Sequence, residues 1–203
     1  MPNYAEELSY WYLRLNGFFP LSNFVYHRLP KEDGTAIYNA DADILALRPP
    51  YYHEEIGKER LNCDGWIEAL DGRWIGIMAE VKGSENVTID KVEAAFARER
   101  IEVSVLRLGL FQSEVVGEII DQLVNQLSTP KEETPLIIKV LFTTSEDNRV
   151  INDPRWLTIN INSADDFIRE RINSFLDPKF GGRYFFPSSL FQYLIWKERP
   201  NLL

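Results

Sequence analysis

Cysteine is almost missing from this chain. Cys63 stands alone among 203 residues, so no internal disulfide can form and a reducing compartment fits. Histidine is as scarce: with only His27 and His53 beside that one thiol, a Cys/His zinc cage cannot be assembled. No apolar run approaches the roughly 18 residues of a membrane span. The opening Met1-Pro2-Asn3-Tyr4-Ala5-Glu6-Glu7 has neither the basic end nor the apolar stretch of a secretion signal. A cytoplasmic protein with no membrane partner is therefore expected. Positive charge is in deficit, with 22 Lys and Arg against 31 Asp and Glu. The resulting net charge of -9 argues against a nonspecific coat on nucleic acid and still permits a local basic groove. There is no G-x-S-x-G elbow and no P-loop, so serine-hydrolase and phosphate-cradling chemistries lose their usual scaffolds. No linker rich in Pro, Gly or Ser, no charge block and no repeat divides the chain, which reads as a single domain over 1–203.

What is present is periodic. Tyr4, Leu8, Trp11, Tyr12 and Leu15 recur at helical spacing and predict a helix over 3–16, with Gly17 as its stop and Glu7 on its flank. A short strand is expected at Phe24 to His27. A turn at Lys31-Glu32-Asp33-Gly34 then leads into an apolar strand ending at Leu47, which Arg48-Pro49-Pro50 terminates. Tyr51 to Gly65 is a polar excursion. A hairpin is predicted next, Trp66 to Leu70 against Arg73 to Val81 around Asp71-Gly72. Helical patterns follow over 90–108, with a break, and over 113–127, where Val115, Val116, Ile119, Ile120, Leu123 and Leu127 share one side. Strands are expected at 136–143 and 156–161, a helix with a Ser163/Asp166 capping box running to 176, and a last helix from 188 or 189 to 196. This order predicts an α/β sandwich, a mixed central sheet flanked by helices.

Two apolar strands carry carboxylates that a buried strand should not tolerate unpaired: Ala40-Asp41-Ala42-Asp43-Ile44-Leu45-Ala46-Leu47 and Trp74-Ile75-Gly76-Ile77-Met78-Ala79-Glu80-Val81-Lys82. Alternation puts Ile75, Ile77, Ala79 and Val81 on one face and Glu80 with Lys82 on the other. By the same count Asp41 and Asp43 share a face. If the strands are neighbours, three carboxylates and an ammonium converge, the layout of a divalent-metal site with a lysine beside it.

An acid-bearing N-terminal helix, an apolar Asp strand, a hairpin and a strand closing on Glu80-Val81-Lys82-Gly83 resemble, in that order, the PD-(D/E)xK nuclease superfamily, the restriction-endonuclease-like fold. The resemblance places core motifs in 3–110 and leaves 163–203 as a helical, aromatic elaboration. It implies Mg2+, with Mn2+ able to substitute, held by Asp43, Glu80 and the backbone carbonyl of Val81. It casts Lys82 as the residue serving the attacking water and Glu7 as an auxiliary acid. The implied activity is endonucleolytic hydrolysis of phosphodiester bonds, with DNA as the expected nucleic-acid partner. The alternative is a catalytically inactive relative serving as a protein-interaction subunit. His27 and His53 read as structural. Lys91, Arg98, Arg100 and Arg107 could present cations toward phosphates after the Glu80-Val81-Lys82 strand, but the interspersed Glu93, Glu99 and Glu102 suit a solvated helix face better. Tyr184, Phe185, Phe186, Phe191, Tyr193 and Trp196 suit core or subunit packing, which would support a homodimer.

Overall fold

In the computed structural model the described residues are 3–26, 29–30, 36–37, 40–56, 59–70, 72–84, 86–129, 135–175 and 189–198. The chain opens with helix α1 (Tyr4–Leu15), started by a capping box. The Asn3 side chain accepts from Glu6 N at 3.0 Å, and the Glu6 carboxylate accepts from Asn3 N at 3.3 Å. Leu8, Trp11, Tyr12 and Leu15 are buried as their spacing predicts, whereas Tyr4 is exposed. Gly17 ends the helix at φ +84, and a Cβ there would strike the Tyr52 ring at 2.2 Å.

Next come β1 (Phe19–Tyr26), β2 (Leu29–Pro30), β3 (Ala36–Ile37), β4 (Ala40–Arg48), β5 (Glu54–Ile56), β6 (Glu59–Leu61) and the short helix α2 (Gly65–Glu68). They are followed by β7 (Ile75–Lys82), α3 (Ile89–Ala95), α4 (Arg98–Leu108), α5 (Ser113–Asn125) and β8 (Leu136–Thr143). The described part closes with α6 (Asn148–Ile151), β9 (Leu157–Asn160), α7 (Ile161–Phe175) and α8 (Ser189–Glu198). The fold is α/β. Its central sheet has five strands in the order β1-β4-β7-β8-β9, with β1, β4 and β7 antiparallel and β7, β8 and β9 parallel. Such mixed pairing needs helices on both faces, and the two largest core clusters are those faces. Ile44, Ala46, Ile75, Ile77, Ala79 and Val81 pack with α1, α7 and α8. Leu45, Met78 and Ile137 pack with α4 and α5.

Several expectations change. The first strand begins at Phe19, ahead of the expected Phe24, and His27 lies outside the described residues. Trp66 to Leu70 is not a strand: Gly65–Glu68 is helical, its Ile67 and Glu68 amides bonding Asp64 O. Both edges of β7 are taken, by β4 and β8, so no ladder is open to a hairpin partner. The helical turn instead buries Ile67 completely, a gain of about 1.5–3 kcal/mol that a solvated hairpin would forgo. It also lets Trp66 Nε1 donate to Tyr12 Oη at 2.9 Å while that hydroxyl donates to Asp64 at 2.6 Å. The expected capping box at Ser163 is replaced three residues earlier, where Asn160 Oδ1 accepts from Asn162 N at 2.8 Å at the start of α7. Tyr184, Phe185 and Phe186, invoked for subunit packing, lie outside the described residues.

Candidate functional site

The site begins with a fault in β4. The β1 to β4 register runs Ser22↔Ile44 and then Phe24↔Ala42, passing over Asn23 and Asp43. Asn23 sits at φ 53, the left-handed region that Asn tolerates better than most residues. Ile44 and Ala46 join the cluster under α1, but Ala42 joins the one under α4 together with Leu45. Alternation therefore breaks at Asp43, and the parity count that put Asp41 and Asp43 on one face does not carry across it. Irregularities of this kind re-aim a side chain at the cost of ladder pairing. The freed Asp43 carboxylate turns to β7 and accepts from Val81 N at 2.7 Å.

Glu80 stands opposite Asp43, one step beyond the last ladder pair, Ile44↔Ala79. It is only 6% exposed. Burial, and then the charge of Asp43, push its carboxyl up to about 7, against the pull of Lys82 and Arg100. The Lys82 ammonium donates to Glu80 Oε1. Burial also raises Asp43, opposed by the Val81 N–H and by Lys82. In an extended strand the N–H and C=O of one residue leave by the same edge. With Val81 N directed at Asp43, its carbonyl is on the β4 side as well, while Lys82 O is engaged by Thr143 Oγ1 at 3.0 Å on the β8 side.

Helix α1 closes the site from the other face. Gly83 follows Lys82 directly, and a Cβ there would lie 2.8 Å from Ala5 Cβ, so the first turn of α1 rests on the end of β7. Glu6 is the α1 acid whose titration feels this neighbourhood: burial raises its carboxyl, with Asp43 and Asp41 adding to the rise. Glu7 is the next residue, partly buried, with its amide bonded to Asn3 O.

Three residues of the site are not legible as such in the sequence. Arg100 on α4 lowers the carboxyls of both Asp43 and Glu80 and places Nη1 3.5 Å from Asp41 O. Tyr26 and Ser104 share a buried hydrogen bond of 2.7 Å. With Glu80 and Arg100 they line a cavity of about 10 Å³, at the lower limit for one water molecule. The i, i+4 spacing of Arg100 and Ser104 is the available signal, hidden among the glutamates of the same helix.

The arrangement offers hard oxygens: two carboxylates and a main-chain carbonyl. Among the described residues no group of three or more His, Cys, Asp or Glu side chains is arranged to hold a metal. Neither Cys63, which contacts Asn16 O and Arg48, nor His53, 4.0 Å from Glu55, joins the site. No helix among the described residues is long and apolar enough to cross a membrane. Compared with protein-family models, curated proteins and solved structures, the chain matches none.

Proposed function

We propose that this chain is a magnesium-dependent nuclease of the restriction-endonuclease-like fold, hydrolysing phosphodiester bonds with DNA as substrate. The observation that carries the reading is the meeting of Asp43, Glu80 and Lys82 at the broken end of the β4 to β7 ladder. A helix, three antiparallel strands and a parallel strand reached through helices support it as a scaffold.

The donor set fits magnesium. This ion takes hard oxygen ligands, keeps several waters and needs only one or two carboxylates from the protein. Asp43 and Glu80 would hold it, with the Val81 carbonyl as third oxygen. A buried acid pushed up to about 7 beside a second carboxylate is a pair short of positive charge, which a divalent ion supplies. When bound, magnesium contributes Lewis-acid polarisation and a more acidic water. The Lys82 side chain is 29% exposed. From there its ammonium donates a hydrogen bond to the attacking water and offsets charge growing on the phosphate. An acid of α1, Glu7 by motif or Glu6 by its electrostatic coupling to Asp43, orients the water from the opposite side.

The test separates metal binding from chemistry. Lys82→Met keeps both carboxylates, so it should keep the rise in melting temperature on adding Mg2+ or Mn2+. Cleavage of DNA should fall by about 10²–10⁴. Asp43→Asn should lose both. Equal cleavage by wild type and Lys82→Met would remove the activity from this site.

A second reading, an inactive relative acting as an interaction subunit, draws on the edge strand β1. Its Phe19, Leu21 and Val25 are 69%, 52% and 44% exposed, and the strand carries no charged residue. Protein that binds no metal and cleaves neither DNA nor RNA would favour it.

A further inference from the structure

Cations near the candidate site differ in whether they are already engaged. Lys82 is bonded to Glu80. Arg98, two residues before Arg100 on α4, is tied to Asp121 of α5 at 2.5 Å. Arg107, two turns further along α4, lies over the Phe24 ring at 4.7 Å. Arg155 is held by Asp153 and Glu93, each at 2.7 Å. Arg100 is different. It has no ion-pair partner among the described residues, and its one hydrogen bond is a long 3.5 Å approach to a main-chain oxygen. It nevertheless lines the same small cavity as Glu80, and its contact is with the main chain of Asp41, two residues before Asp43, so the guanidinium lies beside the carboxylate pair without an ion pair to either.

The base of the side chain is fixed. One turn on, Ser104 bonds the buried Tyr26 hydroxyl at 2.7 Å, and Ile101 and Val105 are 1% exposed in the core beneath α4. Arg100 is itself partly exposed. A guanidinium on an anchored helix, facing solvent, presents a planar fork of donors that matches two phosphate oxygens. In a protein of net charge -9 the surroundings repel phosphate, so one correctly placed unengaged cation decides where a strand lies.

Resting on the nuclease reading above, we infer that Arg100 is the phosphate anchor of this site: it binds the phosphodiester backbone beside Asp43 and Glu80, and it does so without metal, while Lys82 is still bonded to Glu80. Nucleic acid then docks before the metal, held by Arg100.

The experiment measures binding of a labelled short DNA, single-stranded and duplex, by fluorescence anisotropy in EDTA across a series of salt concentrations. Wild type, Arg100→Gln, Arg100→Lys and, as the control for a cation already in an ion pair, Arg98→Gln are compared, with melting temperatures to show that each is folded. Arg100→Gln should weaken binding about tenfold or more at low salt. It should also reduce the slope of log affinity on log salt by about 0.7 on single strands or 0.9 on duplex, the change expected when one fewer phosphate is neutralised. Arg100→Lys should keep the slope and recover only part of the affinity, because a point charge replaces the fork. Arg98→Gln should bind as wild type does. Wild type that cleaves with magnesium while Arg100→Gln binds with unchanged affinity and slope overturns the anchor and leaves the nuclease reading standing. Wild type that binds neither form of DNA, with or without magnesium, overturns both.

Discussion

Glu80 should make the metal-free protein lose stability as pH rises through neutrality, and Glu80→Gln should abolish most of that loss. The carboxyl is pushed from its ordinary 4.5 up to about 7 by burial and by Asp43. A group with a raised folded-state pKa binds its proton more tightly when folded, so folding is favoured below 4.5 and the advantage drains away up to about 7. At about 1.4 kcal/mol per pH unit the decline amounts to on the order of 3 kcal/mol. Asp43 is raised as well and adds to the decline with the same sign. The attraction of Lys82 is already contained in the value near 7, because it is one of the forces opposing the shift. In EDTA, urea melts from pH 4 to pH 9 should therefore show wild type falling across this window and Glu80→Gln nearly flat, retaining only the Asp43 part. Magnesium reverses the effect at high pH, where both acids are ionised. At a concentration about 100 times its dissociation constant it restores about 2.7 kcal/mol, which in a domain of this size is roughly 5–10 °C of melting temperature. Glu80→Gln should gain little. If wild type and Glu80→Gln trace the same pH profile in EDTA, Glu80 is not a buried, repelled acid, and the case for a cation between it and Asp43 fails.

Two further outcomes follow from packing around the same strands. Gly83→Ala drives a methyl to 2.8 Å from Ala5 Cβ. It should cost about 1–3 kcal/mol by lifting α1 off the end of β7, and Ala5→Gly in the same chain should return part of it in urea melts. Lys139 is buried in the middle of β8 with its ammonium 5.7 Å from the Phe96 ring centre, and burial lowers its pKa from 10.5 to about 8. Here the unfolded chain holds the proton more tightly, so stability should rise between pH 8 and pH 10.5, by on the order of 3 kcal/mol. Lys139→Met should remove that rise and be the more stable protein at pH 7.

Much of the scaffold is legible because local pattern and tertiary demand agree. The strand at 136–143 is an apolar run interrupted only by Lys139 before its closing Thr143, and it is buried from end to end as a central parallel strand should be. The two faces of β7 follow strict alternation, since β4 and β8 hold it flat on both sides. Where the sequence misleads, the deciding partner is distant. Nothing within Trp66 to Leu70 announces that Tyr12, more than fifty residues earlier, will take a hydrogen bond from the indole of Trp66 and make a helical turn the better solution. Parity fails at Asp43 for a similar reason: the residue opposite it is a left-handed Asn23 on the neighbouring strand, which no pattern within β4 announces. Arg100 reads as one solvated cation among several because helix spacing shows which residues share a face, and not which face meets the ends of β4 and β7.

The fault at Asn23 and Asp43 also explains why charge collects where it does. A regular ladder would have paired Asp43 with Asn23 of β1 and kept its side chain in strict alternation on one sheet face, where an ionised carboxylate without partners is costly. Breaking alternation costs the pairing of two residues and a left-handed turn at Asn23, on the order of 1–3 kcal/mol for strain of this kind. In exchange the carboxylate reaches the Val81 amide, and the Val81 carbonyl is brought to the same edge. Two acids and a main-chain oxygen are thereby gathered at the end of a strand fixed on its other side by the Thr143 hydroxyl. A sheet optimised only for stability would have closed the ladder and placed an apolar residue at 43. That alternation instead breaks at Asp43, the residue opposite Glu80, is the physical argument for a site at this place.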